Sequence, residues 1–294
     1  MGRTRAVPVN RNPTVRQRRL GRLLKDLRNH AGRTLAQAAV ELQCAESKMS
    51  RIEAAQSGIR PLDLRVLLDF YGVTDEALRA RLQELARYGR ERGWWSQHED
   101  SLTPLYADYI ALEWDASDLY VVETSLVPGL LQTPEYTEAV IRLHNPQRAD
   151  DFDYVQEQVK VRGQRRQVFA RSAPLRLWAI LAESALQHRV GGHDVIQQQL
   201  DYLLTAAQET NIQIQVLPTS APINAALYGP FGILAFPEPA ETDVVYADSL
   251  MSTVYYEQPD QVEFFTTLFR RLNSEALPVE DSMARIRAAI QEKD

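Results

Sequence analysis

A chain of 294 residues, 45% hydrophobic and 24% charged, has room for one large domain or for a small and a medium one. No apolar run approaches the roughly 18 residues a membrane span requires, and the polar, basic N-terminus lacks the apolar centre of a signal peptide, so a cytoplasmic protein with no membrane partner is expected. The single cysteine, Cys44, excludes an internal disulfide framework and fits a reducing compartment.

The net charge of −6 is unevenly placed. Residues 1–95 carry 19 Lys and Arg against 10 Asp and Glu, whereas residues 96–294 carry 14 against 29. Ten of the basic groups lie in residues 1–33, where Asp26 is the only acid. A basic end on an acidic body points to a polyanion held at one end only.

Residues 1–14, with Pro8 and Pro13 among arginines, lack apolar periodicity and read as a flexible basic arm. From Val15, Leu20, Leu23, Leu24 and Leu27 recur at helical spacing until Ala31-Gly32, where glycine can close the helix. Thr34-Leu35-Ala36-Gln37 has the form of a capping box, in which the Thr34 hydroxyl and the Gln37 side chain satisfy free amides at a second helix start. After a break at Gln43 to Ala45 comes "ESKMSRIE", a short helix with Met49 and Ile52 as its apolar anchors. "RPLDLRVLLDFYGV" and "TDEALRARLQELARYGRERG" supply two more helices. The expectation is an all-α domain of five short helices over residues 15–95. "SQHEDSLTP", with its exposed character, marks the boundary to a second domain over residues 104–294.

Beyond that boundary "DLYVVE", "PLRLWAIL", "IQIQVLP", "FGILAF" and "DVVYAD" read as strands, being β-branched and aromatic and bounded by Pro, Gly or Asp. Helical segments alternate with them: "PEYTEAVIRLH", "DFDYVQEQVKVRGQRRQVFAR", "GHDVIQQQLDYLLTAAQ", "QPDQVEFFTTLFRRLNSEAL" and "EDSMARIRAAIQ". The second domain is therefore expected to be mixed α/β or α+β with one sheet, its strand order open.

Two short helices joined by a tight turn, the second polar on its outer face and flanked by longer helices, have the layout of a helix-turn-helix, whose second helix lies in the major groove and reads base edges. Such a helix needs apolar residues only underneath. Ser47, Lys48 and Arg51 can bond bases or phosphates, an arginine giving two bonds to guanine, and Ser50 is short enough for close approach to the backbone. Arg11, Arg16, Arg18 and Arg19 are read as lying just ahead of the first helix, where a flexible segment can follow phosphates or enter a minor groove.

"SKMSRIE", then Gly58, then "RPLDLRVLLDFYGV" resembles the XRE-type, phage-repressor-like helix-turn-helix in the version common among actinobacterial regulators. The resemblance implies DNA contacts at Thr34, Gln37, Glu46, Ser47, Lys48, Ser50 and Arg51, and a structural role for Glu53. Ala45 stands where that family usually has a serine cap, and Leu35 where it often has a phosphate-binding glutamine, for which Gln37 can substitute in part. "GWW", "ALEWDASDLYVVETSLVPGLLQTPEYTEAVI", "VRGQRRQ", "LAESALQHRVGG", "QLDYLL", "IQVLP", "GPFGIL" and "VVYAD", in that order, resemble the uncharacterised C-terminal domain joined to such modules in actinomycete regulators, including the WhiJ-like group. That resemblance implies a cytoplasmic, nucleoid-associated transcriptional regulator, antitoxin-like, encoded beside a small partner protein and linked to development and secondary metabolism. A homodimer on a double-stranded, two-fold related operator is expected, with a main task of sequestering a small partner as the alternative.

Within the second domain "VPGLLQTPEY" offers two readings, a strand-to-helix turn that builds core and a partner or effector loop using Leu130, Leu131, Gln132 and Tyr136. Thr133 and Pro134 suit the start of a helix. Arg162, Arg165 and Arg166 share a helix face, with carboxylates such as Glu183 as expected partners and an acidic ligand or partner as the other option. No phosphate loop, nucleophile elbow, dinucleotide fingerprint or zinc helix occurs. The five histidines (30, 98, 144, 188 and 193) are scattered, so no catalysis, metal or cofactor is expected.

Overall fold

The computed structural model describes residues 15–88, 94–98, 101–223, 225–236, 243–249 and 252–291. These divide into two units, one ending at Gln97 and the other beginning at His98. The arm over residues 1–14 lies outside the described residues.

In the first unit five helices follow one another: α1 (Val15–His30), α2 (Leu35–Glu41), α3 (Glu46–Glu53), α4 (Pro61–Phe70) and α5 (Glu76–Tyr88). The expected capping box forms at α2: the Gln37 amide donates to Thr34 Oγ1 (3.1 Å) and the Thr34 amide donates to Gln37 Oε1 (2.9 Å). The turn into α3 is closed by Gln43 at φ 49°, a left-handed conformation that costs a non-glycine residue about 1 kcal/mol, and by the Cys44 amide donating back to the Ala39 carbonyl. Ala45 gives α3 no side-chain cap. Apolar faces converge on one core containing Leu24, Ala38, Met49, Ile52, Leu64, Leu67, Leu68 and Leu82, and Cys44 packs against its edge. Small residues serve close approach here. A Cβ on Gly21 of α1 would stand 2.5 Å from the Glu53 carbonyl oxygen and 3.0 Å from that of Ile52.

The second unit is built on a six-stranded mixed sheet in the order β3-β2-β1-β4-β5-β6. Its strands are β1 (Asp118–Glu123), β2 (Arg176–Ala182), β3 (Ile212–Leu217), β4 (Phe231–Ala235), β5 (Val244–Asp248) and β6 (Thr253–Tyr256). β1, β2 and β3 run parallel, while β4, β5 and β6 add antiparallel to the other side of β1. The parallel connections carry helices, as such crossovers must: α7 (Pro134–His144) and α8 (Phe152–Arg165) between β1 and β2, then α9 (Glu183–Gln187) and α10 (His193–Ala206) between β2 and β3. α11 (Pro259–Glu275) covers one face, its Val262, Leu268, Phe269 and Leu272 meeting Val122, Ile180, Phe231, Ile233 and Val245. α12 (Val279–Gln291) lies against β3. There the Leu277 amide donates to the Val216 carbonyl and the Val216 amide donates to Ser282 Oγ, both at 2.9 Å.

Four features depart from the expectations. A helix, α6 (Pro104–Asp115), precedes the sheet, and Thr103 caps it. A sixth strand and the short α9 were not anticipated. The boundary segment is not exposed throughout: Leu102 is buried, and His98 is 6% exposed, its ring nitrogens meeting the Glu157 carboxylate and Gln164 Oε1.

Candidate nucleic-acid interface

The third helix of the first unit buries Met49 and Ile52 and turns Glu46, Ser47, Ser50 and Arg51 outward. Among the described residues, none of these four outer side chains makes a hydrogen bond or ion pair within the protein. Lys48 is half-buried, its Nζ 3.7 Å from the Asp63 carboxylate, which Arg60 also grips through two bonds of 3.0 and 2.8 Å. It therefore offers a charge already shared with α4.

What holds α3 in place is a buried ion pair. The Arg28 Nε and Nη2 donate to the two Glu53 oxygens at 2.7 and 3.0 Å, and Nη1 donates to the Arg33 carbonyl at 2.9 Å. Both side chains are under a tenth exposed. The bond to Glu53 outweighs the cost of burial and holds the guanidinium above its ordinary pKa, while burial pushes the nearby Tyr71 hydroxyl up. Glu53 thus links α3 to α1 and is spent on structure, as the resemblance implied. Arg28 was not singled out in the sequence; it lies 25 positions from its partner.

The remaining candidates separate. Thr34 and Gln37 are exposed beside α3, but their hydroxyl and carbonyl oxygens serve the cap. Arg16, Arg18 and Arg19 do not precede the first helix; they lie within its first turns. Arg16 is 5% and Arg19 4% exposed, with the Arg16 guanidinium over the Trp95 ring, so packing withdraws both from a surface contact. Arg18 is half-buried.

In the second unit the "VPGLLQTPEY" segment builds core. Leu130, Leu131 and Tyr136 are essentially inaccessible. Gln132 is buried too, its Nε2 donating to the Val127 carbonyl and its Oε1 accepting from Thr137 and Arg162. Gln199 closes the turn by accepting from the Thr133 amide and donating to the Leu131 carbonyl. These positions offer a partner no open side chain, which corrects the binding-loop reading.

The three arginines do not act on one face. Arg162 reaches Gln132, Arg166 lies over the Tyr202 ring, and Arg165 turns inward, its Nε and Nη2 donating to the two Glu113 oxygens at 2.8 and 2.6 Å. Glu183 instead pairs with Arg285 and accepts from the Thr219 amide, which holds its carboxyl below the usual range. Glu113 comes from α6, a helix the sequence did not reveal. Tyr106 accepts from Arg165 at 2.8 Å, and Tyr109 donates to Glu113 at 2.9 Å while its hydroxyl oxygen lies 3.3 Å from the Tyr246 hydroxyl. Burial works against the Arg165 charge, but Glu113 and the tyrosines more than offset it and hold its pKa well up. Gly129 passes so close that a Cβ there would lie 3.1 Å from Arg165 Nη1.

Beside this cluster is a cavity of about 20 Å³, room for one water, lined by Tyr109, Tyr246, Arg165 and Glu123. Burial, then the charge of Asp248, pushes the Glu123 carboxyl up to about 8. Among the described residues no group of three His, Cys, Asp or Glu is placed to hold a metal ion, and no helix is long and apolar enough to cross a membrane.

Residues 19–82 match the family model of the helix-turn-helix domain, and residues 106–288 match that of a domain of unknown function, DUF5753. No curated protein and no solved structure matches the chain. With the second match spanning more than half of its length, the chain belongs to the DUF5753 family and carries a helix-turn-helix domain ahead of it.

Proposed function

We propose that the protein is a sequence-specific DNA-binding transcriptional regulator in which α3 enters the major groove. The observation that carries this reading is the outer face of α3: Glu46, Ser47, Ser50 and Arg51 stand exposed and uncommitted on a helix locked from beneath by Met49, Ile52 and the Arg28–Glu53 pair. Arg51 reads a base, Ser47 and Ser50 approach the backbone, and Thr34 and Gln37 flank them at the start of α2. The basic arm over residues 1–14 adds contacts to phosphates without sequence preference. Acidic residues dominate the second unit and keep it off the DNA, leaving the basic end to orient the protein.

The finer reading is a homodimer on a two-fold operator with half-sites roughly 34 Å apart, in a cytoplasmic actinomycete regulator of development or secondary metabolism whose second unit receives a small partner protein or effector. Its support is the ordered series of segments that resembles the WhiJ-like, antitoxin-like group. The test is binding of the purified full chain to genomic DNA fragments, repeated with Arg51→Ala. Discrete sites should emerge, and the variant should lose about ten- to a hundredfold at them while its circular dichroism and weak general DNA affinity stay unchanged. Equal operator affinity in the variant would mean that α3 is not the reading helix.

A further inference from the structure

α11 presents an outer face that the fold does not use. Phe264 is 60% exposed in the middle of this 17-residue helix, and Tyr228, 47% exposed, joins it along an open groove. Glu263, Thr267, Arg270 and Arg271 are exposed on the same side, and among the described residues neither the acid nor the two arginines has an ion-pair partner.

Asp260 in the first turn of α11 complements the helix dipole, whereas Glu263, Arg270 and Arg271 lie inside its end turns. The dipole does not account for a solvent-facing phenylalanine between them. On a helix of 3.6 residues per turn, Glu263 and Arg270 fall on one flank of Thr267, about 40° and 60° round the axis, and Phe264 and Arg271 fall on the other.

We propose that α11 pairs antiparallel with α11 of a second copy across a two-fold axis at Thr267, making this face the dimer interface of the regulator. In an antiparallel pair related by such an axis, like flanks meet. Glu263 of each copy then stands level with Arg270 of the other, to within one residue's rise of about 1.5 Å. On the opposite flank each Phe264 ring lies against Arg271 of the other copy, a cation over an aromatic face. Thr267, short enough for close approach, meets itself. The sequence is thus self-complementary in charge and shape about one position, the property an isologous contact requires. A helix pair of this length, extended by Tyr228, is at the small end of specific interfaces, so the dimer is expected to form in the micromolar range and to be strengthened by a shared operator.

This inference gives the two-fold reading of the operator its interface, and its test does not depend on DNA. The full chain is followed by sedimentation velocity from about 1 to about 200 μM, a span chosen around the micromolar affinity expected of so small an interface. Its mass should rise from 33.4 kDa towards twice that value. Glu263→Arg should weaken association by at least about tenfold, since two attractions become two repulsions, and Glu263→Arg with Arg270→Glu should restore it. Circular dichroism checks that these exposed substitutions leave the fold intact. In a Cys44→Ala background, Thr267→Cys should form an intermolecular disulfide under mild oxidant. A wild-type monomer throughout, a dimer indifferent to Glu263→Arg, a double variant that fails to recover, or an absent cross-link would each overturn the proposal. Loss of operator binding in Arg51→Ala is read separately, so either conclusion can fail without the other.

Discussion

Two helix-interior glycines make a matched experiment, because the same substitution should have opposite signs. Alanine is favoured over glycine in a helix by about 1 kcal/mol. At Gly163, in the last turn of α8, nothing lies within 4 Å of the position a Cβ would take, so Gly163→Ala should stabilise by about 0.5–1 kcal/mol. At Gly21 the added carbon would stand 2.5 Å from the Glu53 carbonyl oxygen, against ordinary contact of 3.4–4 Å, and that neighbour is helix backbone that cannot swing aside. α1 and α3 must part by most of an ångström, at a cost of about 1–3 kcal/mol that exceeds the propensity gain. The net loss should be up to about 2 kcal/mol, concentrated where α1 holds α3. Hydrogen exchange by mass spectrometry resolves this locally: amides of α1 and α3 should exchange about tenfold faster in Gly21→Ala, and those of α8 more slowly in Gly163→Ala. Slower exchange in both variants would refute the claim that close approach positions α3.

Glu123 makes stability fall with pH. Its folded pKa, pushed up to about 8 from an ordinary 4.5, means that the folded protein keeps a proton the unfolded chain has released. The group therefore destabilises progressively as pH rises from about 4.5 to about 8, by at most about 5 kcal/mol. Glu123→Gln should flatten that part of the urea-unfolding pH profile and gain most near pH 8; parallel profiles would refute the assignment. Arg28→Met leaves Glu53 buried and unpaired, which should cost about 3 kcal/mol; a chemical melt in which the first unit unfolds no earlier than in wild type would show the pair to be dispensable.

Elements with a local signature are legible in the sequence. Thr-x-x-Gln announced α2, Met49 and Ile52 set the buried side of α3, and β-branched runs marked five strands. α6 escaped because Ile110, Ala111, Leu112 and Glu113 are buried in succession, so no single apolar stripe betrays a helix covered on several sides. β6 is four residues long and lies just before Pro259, too short for alternation to register. Pairings distant in sequence were invisible for a different reason. Arg165 meets Glu113 across 52 positions and Arg28 meets Glu53 across 25, and nothing local in either arginine distinguishes it from an exposed one. Arg16 and Arg19 misled in the same way, since charge predicts exposure only on average.

The contacts that Leu277 and Ser282 make with Val216 also bear on how the protein ages. A terminal strand with free amide and carbonyl groups is a template on which other chains can grow, and here a turn and a serine hydroxyl occupy that position in place of a seventh strand. Residues 277–291 therefore guard solubility as well as completing the core. A chain clipped before Leu277 would keep its helix-turn-helix unit while uncovering the edge of β3, a surface prone to seed aggregates.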